Sequence, residues 1–368
     1  MKKILYVTTV SRTINAFLIP HIERLIDEGY EIDCACSIDK EIDKRIVDKG
    51  CNIFDTPFSR NPLDMKNIKA FKKLIKLQRE NQYDIVHVHT PVASVFGRLL
   101  KRKFPSLKTI YTVHGFHFFK GAPFFNWIIY YPIEKFMSRY TDVIITMNEE
   151  DYNRAKKLKS KNVYFINGVG IDLNYYNNSG FNKTEERKKL NLNQDDFVIL
   201  MIAEANKNKN IIQVINAIEI IKKNNIEVKV LIAGDGILLE RLRQEIKDKK
   251  LQDNINMLGY RKDVRELIAA CDIGILTSYR EGLPRNIMEL MAFGKPVIGT
   301  NIRGIRDLVI NNVNGYLVEV GDSIDTANKI EKVYKEYEKT INMSKNSITL
   351  INKYDIRKII DSIEKIYY

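Results

Sequence analysis

The chain has 368 residues, enough for two domains and too many for a single small binding module. Hydrophobic residues make up 45% and charged residues 29%, with no low-complexity tract, which excludes a disordered protein. Lys and Arg number 59 against 46 Asp and Glu, and the formal net charge of +13 raises the question of a phosphate-rich partner: nucleotide, nucleic acid or anionic membrane.

The N-terminus alternates threonines with apolar residues by Val7–Val10 and has no small-residue cleavage site, so it reads as a first strand of a cytoplasmic protein. Further β-branched runs follow at 30–35, 85–89, 108–113, 142–147 and 162–166, each trailed by helical periodicity. The pattern restarts at 197–202, 228–233, 255–258, 273–276, 296–300 and 315–318. Strands alternating with helices over this length predict two doubly wound α/β domains with parallel sheets.

Between the two sets lies 168–182, rich in Gly and Asn and poor in apolar periodicity, which reads as the linker. Expected boundaries are therefore residues 1–175 and 176–352. The remainder, 353–368, places Ile356, Ile359, Ile360, Ile363 and Ile366 at helical spacing; it is an amphipathic helix in need of an apolar surface, which the N-terminal domain could supply. Cys34, Cys36, Cys51 and Cys271 lack the spacing of a disulfide scaffold or zinc site and read as buried thiols. No stretch approaches the ~18–20 apolar residues needed to span a bilayer.

The segment TSYREGLPRNIMELMAFGKPVIGT follows the strand at 273–276. After Glu281 a Gly-Leu-Pro turn enters a helix in which Pro284 fits the first turn, where its missing N–H costs nothing. Glu289 stands eight positions on, about two helical turns along the same side. Backbone amides of Gly282, Leu283 and Asn286 would leave the helix N-terminus free to hold an anion or a sugar hydroxyl.

These residues, with Gly294–Val297 (GKPV), Asn314–Val318 (NGYLV), His87–Pro91 (HVHTP), Thr112–Gly115 (TVHG), Gly168–Asp172 (GVGID) and Gly234–Gly236 (GDG), resemble the retaining, nucleotide-sugar-dependent glycosyltransferases of family 4, which have the two-Rossmann GT-B architecture with domains facing across a cleft. The resemblance runs over nearly the whole chain. It implies that Glu289 binds the ribose hydroxyls of the nucleotide, that Glu281 touches the donor sugar near the reacting carbon, and that Gly282, Leu283 and Pro284 contact sugar and diphosphate. Tyr260 and Arg261 would lie against the base, and His114 would face the donor sugar from the N-terminal domain. His87 and His89 are read as pointing to opposite faces of their strand.

Two departures stand out. Where relatives carry Gly-Arg and then a Lys five positions after the Arg, this chain reads MIAEANKNKN: Lys209 keeps the phosphate-binding position, but Glu204 replaces the Arg. Glu204 should turn away from the diphosphate or pair with a cation such as Lys207, and Arg261, Arg285 and Arg303 are candidates to replace the lost charge. The loop after the first strand carries Arg12 and Asn15 where relatives have glycines, so it offers side chains to an acceptor or a phosphate. Relatives that make bacterial surface polysaccharide look similar in both loops.

No Asp-x-Asp occurs, so no carboxylate pair of that kind holds a metal on the diphosphate. A metal-independent, cofactor-free transfer follows, with Lys209, nearby Arg residues and a helix N-terminus neutralising the leaving group.

From Lys66 to Lys108 eleven Lys and Arg face only Glu80 and Asp84. On a helical wheel Lys66, Lys69, Lys72, Lys73, Lys76 and Arg79 share one arc, with Ile68, Phe71, Leu74, Ile75 and Leu77 opposite. Nine aromatics fall between Phe116 and Phe136, including the pairs Phe118-Phe119 and Phe124-Phe125 flanking a loop-like Lys120–Pro123. Aromatics beside basic residues suit an anionic membrane interface or single-stranded nucleic acid. Lys72, Lys73, Lys76, Phe124 and Phe125 are thus membrane candidates. The leading reading is a hexosyltransferase that uses a nucleotide sugar, expected to be a UDP-sugar, and a lipid-linked saccharide, peripherally bound to the inner face of the cell membrane and without nucleic acid. The alternatives are a nucleotide-sugar epimerase of the same fold and a basic nucleic-acid-binding protein; the latter lacks any RRM, KH or helix-turn-helix pattern.

Overall fold

The computed structural model describes residues 2–367 and contains two parallel sheets, one in each of two units. The first unit comprises Met1–Gly170 together with Arg357–Tyr368, and the second Ile171–Ile356. The first sheet is built from β1 (Lys3–Val10), β2 (Glu31–Ser37), β3 (Ile53–Asp55), β4 (Ile85–Val88), β5 (Lys108–Val113), β6 (Val143–Thr146) and β7 (Asn162–Phe165), in the order β3-β2-β1-β4-β5-β6-β7. The second contains β8 (Val198–Ile202), β9 (Lys229–Ala233), β10 (Ile255–Gly259), β11 (Ile273–Leu276), β12 (Val297–Thr300) and β13 (Gly315–Val318), in the order β10-β9-β8-β11-β12-β13.

Every residue of β4, β6, β11 and β12 is buried, as expected of parallel strands covered by helices on both faces. In each sheet the strand order reverses once, between β1 and β4 and between β8 and β11. Such a reversal opens a crevice at the carboxyl ends of the strands, where the loops leave in opposite directions, and open α/β sheets bind their ligands there.

The chain leaves the first unit at Gly170 and returns to it at Arg357. At the second unit's edge Ile171 N donates to Tyr354 O and Ile356 N to Ile171 O, so the two crossings lie side by side. The final helix, Ile356–Tyr367, buries Ile359, Ile363, Ile366 and Tyr367 against a cluster that includes Ile4, Tyr6, Ile22 and Leu25. Its C-terminal carbonyls are held by cations: Lys108 Nζ lies 2.6 Å from Ile366 O, and Lys2 Nζ 2.6 Å from Tyr367 O.

Locally, the structure adds two elements to the sequence reading and corrects one expectation, the inward placement of Ile68. β3 is a three-residue edge strand, too short to stand out as a period-two run. Ile68 is exposed, because helix Lys66–Asn81 turns Asn67, Ala70, Leu74, Leu77 and Gln78 inward instead. The loop-like Lys120–Pro123 is non-helical as read, and helix Phe124–Met137 begins directly after it. Phe118 is in the core, stacked on Phe116 and edge-on to Tyr131, whereas Phe124 and Phe125 are 74% and 73% exposed.

Candidate active site

In the second unit the crevice between β8 and β11 collects the charged residues singled out from the sequence. Asn206 caps a short 3-10 turn at Lys207–Lys209, and that turn carries Lys209 past the end of β8. Lys209 Nζ reaches Glu281 Oε1 at 2.7 Å, from the loop that follows β11. The two loops are stitched together by Tyr279 N to Asn208 O, Asn208 Nδ2 to Arg280 O and Thr277 Oγ1 to Asn210 O. Asn286, in the first turn of helix Arg285–Ala292, bonds Ile202 O at the end of β8. Five contacts therefore fix the spacing of segments some 70–80 residues apart in sequence.

The helix starts at Arg285 with Pro284 as its cap residue, so Glu281 precedes it and the two glutamates have different partners. Glu289 is buried within the helix, with Arg285 Nε at 3.2 Å, and it accepts a hydrogen bond from Tyr176. Burial raises the Glu289 carboxyl above its ordinary range, against the pull of Arg285 and Tyr176. Gly282, Leu283 and Pro284 form the turn, and the loop after β12 presses on it. A Cβ on Gly304, whose φ is +78°, would lie 2.3 Å from Gly282 O, so only glycine fits there. Gly234 likewise leaves room for Ala203 O, which a Cβ would meet at 1.9 Å.

The remaining sequence candidates are distributed as follows. Tyr260 is 70% exposed just past β10, and Arg261 is tied to Asp263 through Nε at 2.7 Å. Arg285 belongs to Glu289, and its guanidinium lies 5.8 Å from the Tyr176 ring centre. Arg303 is buried beside Gly304. Glu204 is exposed and does not pair with Lys207, which is exposed as well. In the first unit Arg12 bonds Asp39 through Nε, and Asn15 bridges Glu41 O and Asp43 N, so both hold the loop at 38–43 in place. Among the described residues no group of three or more His, Cys, Asp or Glu is arranged to hold a metal ion.

The crevice of the first sheet, between β1 and β4, is chemically different. Thr9 N donates to Thr90 Oγ1, and the two hydroxyls lie 2.7 Å apart. Thr90 has φ +61°, a strained value for a β-branched residue, at the start of helix Pro91–Lys103. His87 and His89 are on the same face, with ring centres 4.3 Å apart, which corrects the expectation of opposite faces: residues two apart in a strand share a face. His87 bonds Tyr367 Oη through Nδ1 and Thr112 Oγ1 through Nε2, at 2.7 Å for the latter. His89 Nδ1 meets His114 Nε2 at 3.1 Å. Burial drives these rings toward the neutral form, lowering His87 to about 3 and His114 to about 4, and His89 is lowered well below its ordinary value by the same cause.

Sequence reading missed Tyr176 and Tyr367 as supporting residues. Tyr176 is 113 positions from Glu289 and Tyr367 is 280 from His87, and neither pairing has a local signal.

Comparison with known proteins finds matches over both units. Residues 3–148 match the family described as Glycosyl transferase 4-like, and residues 182–349 that described as Glycosyl transferases group 1. The chain is 37% identical over 343 residues to EpsD of Bacillus subtilis, a protein named as a glycosyltransferase, covering 92% of this chain and 88% of that one. It is 29% identical over 357 residues to the UDP-Gal:alpha-D-GlcNAc-diphosphoundecaprenol alpha-1,3-galactosyltransferase of Escherichia coli, covering 94% and 90%. The fold superposes on the crystal structure of Anabaena Alr3699/HepE in complex with UDP and glucose with a TM-score of 0.84 at 20% identity, over 100% of this chain and 99% of that one. The chain belongs to the GT4-type glycosyltransferases, of GT-B fold, and is a glycosyltransferase.

Proposed function

We propose that the protein is a retaining, metal-independent transferase that moves a sugar from a UDP-sugar to a lipid-linked saccharide during synthesis of a bacterial surface polysaccharide. The observation that carries the donor half is the Lys209–Glu281 pair, closed at 2.7 Å in the crevice between β8 and β11 with Glu289 in the adjoining helix. A nucleotide diphosphate entering there meets the Lys209 ammonium, which exchanges Glu281 for phosphate oxygens and leaves the carboxylate to accept from sugar hydroxyls. Glu289 accepts from the ribose. Gly282, Leu283 and Pro284 line the sugar and diphosphate, with Tyr260 and Arg261 toward the base. Neutralisation of the leaving group by Lys209 and by the amides at the start of helix Arg285–Ala292 needs neither metal nor cofactor.

UDP and the lipid-linked acceptor are supported by the names of the E. coli relative and the Anabaena complex. At the first crevice Thr9, His89, Thr90 and His114 include no carboxylate to serve as a nucleophile. Transfer therefore proceeds on one face of the sugar: the bond from the anomeric carbon to the leaving phosphate breaks, the acceptor oxygen bonds to that carbon, and its proton passes to the phosphate. His114 contacts the donor sugar.

No helix among the described residues is long and apolar enough to cross a membrane. Membrane contact is instead proposed through helix Phe124–Met137. Its outer face carries Phe124, Phe125, Ile128, Ile129, Ile133 and Phe136, all between 42% and 74% exposed, while Trp127, Tyr130, Tyr131 and Glu134 turn inward. An apolar stripe of that length in water calls for a partner, and the exposed cations Lys120, Lys135 and Arg139 beside it suit anionic headgroups. The other basic helix contributes less than its sequence implies. Lys72 is exposed, but Lys73 Nζ bonds Asp55 O and Lys76 faces Glu80 at 3.7 Å.

The deciding experiment incubates the protein with a panel of UDP- and GDP-sugars, with and without a polyprenyl-diphosphate-linked saccharide, and reads product anomer by NMR. Transfer from a UDP-sugar with the α-configuration kept is expected. Inversion, or use of GDP-sugars alone, overturns the corresponding part; conversion of donor without acceptor restores the epimerase. Flotation with anionic liposomes tests the membrane contact: Phe124→Ser with Phe125→Ser should weaken binding even at high salt, and a wild-type protein that ignores liposomes at low salt refutes it.

A further inference from the structure

His114 lies at the end of β5 on a half-buried position, and its ring makes one hydrogen bond among the described residues, from Nε2 to His89 Nδ1 at 3.1 Å. Nδ1 is therefore the ring nitrogen left for a ligand. His89 cannot follow a moving partner. It is 2% exposed, its backbone N–H extends the sheet by donating to Val7 O, and its ring lies against two others. Tyr6 stacks on it at 5.6 Å and 11°, and His87 adjoins it at 4.3 Å. His87 is itself anchored at both nitrogens, by Tyr367 and Thr112.

The other nitrogen of His89, Nε2, is buried with no hydrogen-bond partner. A buried polar atom without a partner is costly, on the order of 1–3 kcal/mol, and a phenylalanine of nearly the same shape would avoid it. The packing of the ring does not account for a histidine here; the bond to His114 does.

We propose that His89 is a positioning residue for His114, fixing the rotamer and tautomer of that imidazole so that Nδ1 is presented to the donor sugar. The inference rests on the reading that His114 contacts the donor. The hydrogen bond between two uncharged rings has a definite direction. Whichever ring donates, the proton on each is assigned, and His114 meets the sugar with one defined Nδ1 state rather than a mixture. Charge supports the same arrangement, because burial keeps both rings neutral across the physiological range.

Three variants and one measurement on the native chain test this. His89→Leu removes the bond and keeps the bulk, and should lower kcat roughly ten- to hundredfold through misplacement of His114, with nucleotide affinity in the second unit unchanged by calorimetry. His89→Asn, whose amide falls near the position of Nδ1, should recover most of that loss. In the wild-type protein labelled with 15N-histidine, His114 should show one protonated and one bare nitrogen from pH 8 to pH 5.5. Averaged tautomers in the wild type, or equal activity of the Leu variant, overturn the role of His89. His114→Ala with undiminished transfer overturns the parent reading instead, so the two failures are told apart.

Discussion

The two sheets have the same logic of strand order and opposite chemistry at the point where it reverses. Between β8 and β11 stand charged groups that satisfy one another, Lys209 with Glu281 and Arg285 with Glu289. Between β1 and β4 stand Thr9, Thr90, His89 and His114, all uncharged at neutral pH. A topological switch point supplies converging loop ends and nothing more; the side chains placed there decide whether the crevice suits a diphosphate or an uncharged hydroxyl. The charged crevice can trade internal ion pairs for a ligand's charges at little net cost. The neutral one offers hydroxyl and imidazole groups to an incoming sugar, with the Arg12–Asp39 pair in the segments that follow β1 and β2.

The largest expected effect falls on the charged side. Lys209→Ala removes the cation offered to the leaving diphosphate and strands Glu281, and kcat should fall about 10²–10³-fold, the usual loss for one electrostatic stabiliser. A fall of less than threefold in steady-state transfer would move that role to another residue. Glu289→Ala comes next. If the carboxylate accepts from both ribose hydroxyls, nucleotide binding weakens by roughly 1.5–3 kcal/mol, as for hydrogen bonds to a charged group. Calorimetry with UDP on the folded variant checks it, and unchanged affinity removes Glu289 from the site.

The neutral side is best tested by pH. His87 and His114 have folded pKa values of about 3 and about 4, below the ordinary 6.5, so the unfolded chain binds more protons than the native one over that interval. Their stabilisation is complete above about pH 6.5 and is lost as pH falls toward 4. Each neutral histidine contributes a slope of up to about 1.4 kcal/mol per pH unit. Glu289, raised by burial, works the other way, because its cost is relieved as it protonates. Urea unfolding from pH 7.5 to 5 should show falling stability that His87→Phe or His114→Phe makes less steep, with the buried His89 and His21 still contributing. A profile that stays level in the wild type would mean the rings are hydrated and charge freely.

Much of this contrast was legible in the sequence, because it is built from local patterns. Parallel strands announced themselves as β-branched runs, and Glu281, Glu289 and Lys209 stand at spacings that a strand-turn-helix unit imposes. What was illegible depends on contacts across long stretches of chain. Arg12 looked available until Asp39 took it, and Lys73 until Asp55 O did. The anchoring of His87 by Tyr367 needs the last helix to return to the first unit. The helix at 124–137 was not picked out for another reason: many of its apolar residues face outward, so its sequence lacks the usual one-sided apolar stripe.

The smallest expected effect sharpens the comparison most, because it asks whether the charged crevice is complete as it stands. A transferase that relies on a divalent cation loses its leaving-group stabilisation when the cation is removed. Here the positive charge is carried by Lys209 and, through the helix dipole, by the amides ahead of Arg285. The sequence lacks an Asp-x-Asp, and the carboxylates at the crevice, Glu281 and Glu289, are each paired with a cation of the chain. A divalent ion would have to displace Lys209 to reach Glu281, replacing one positive charge with another. Initial rates in excess EDTA should therefore stay within about a factor of two of those with Mg²⁺, at a donor concentration far above KM so that any weak phosphate-bound ion is immaterial. Abolition by EDTA with recovery on adding Mg²⁺ or Mn²⁺ would show that Lys209 and the helix amides do not suffice, and that the pairing seen at 2.7 Å is a resting contact which a metal replaces.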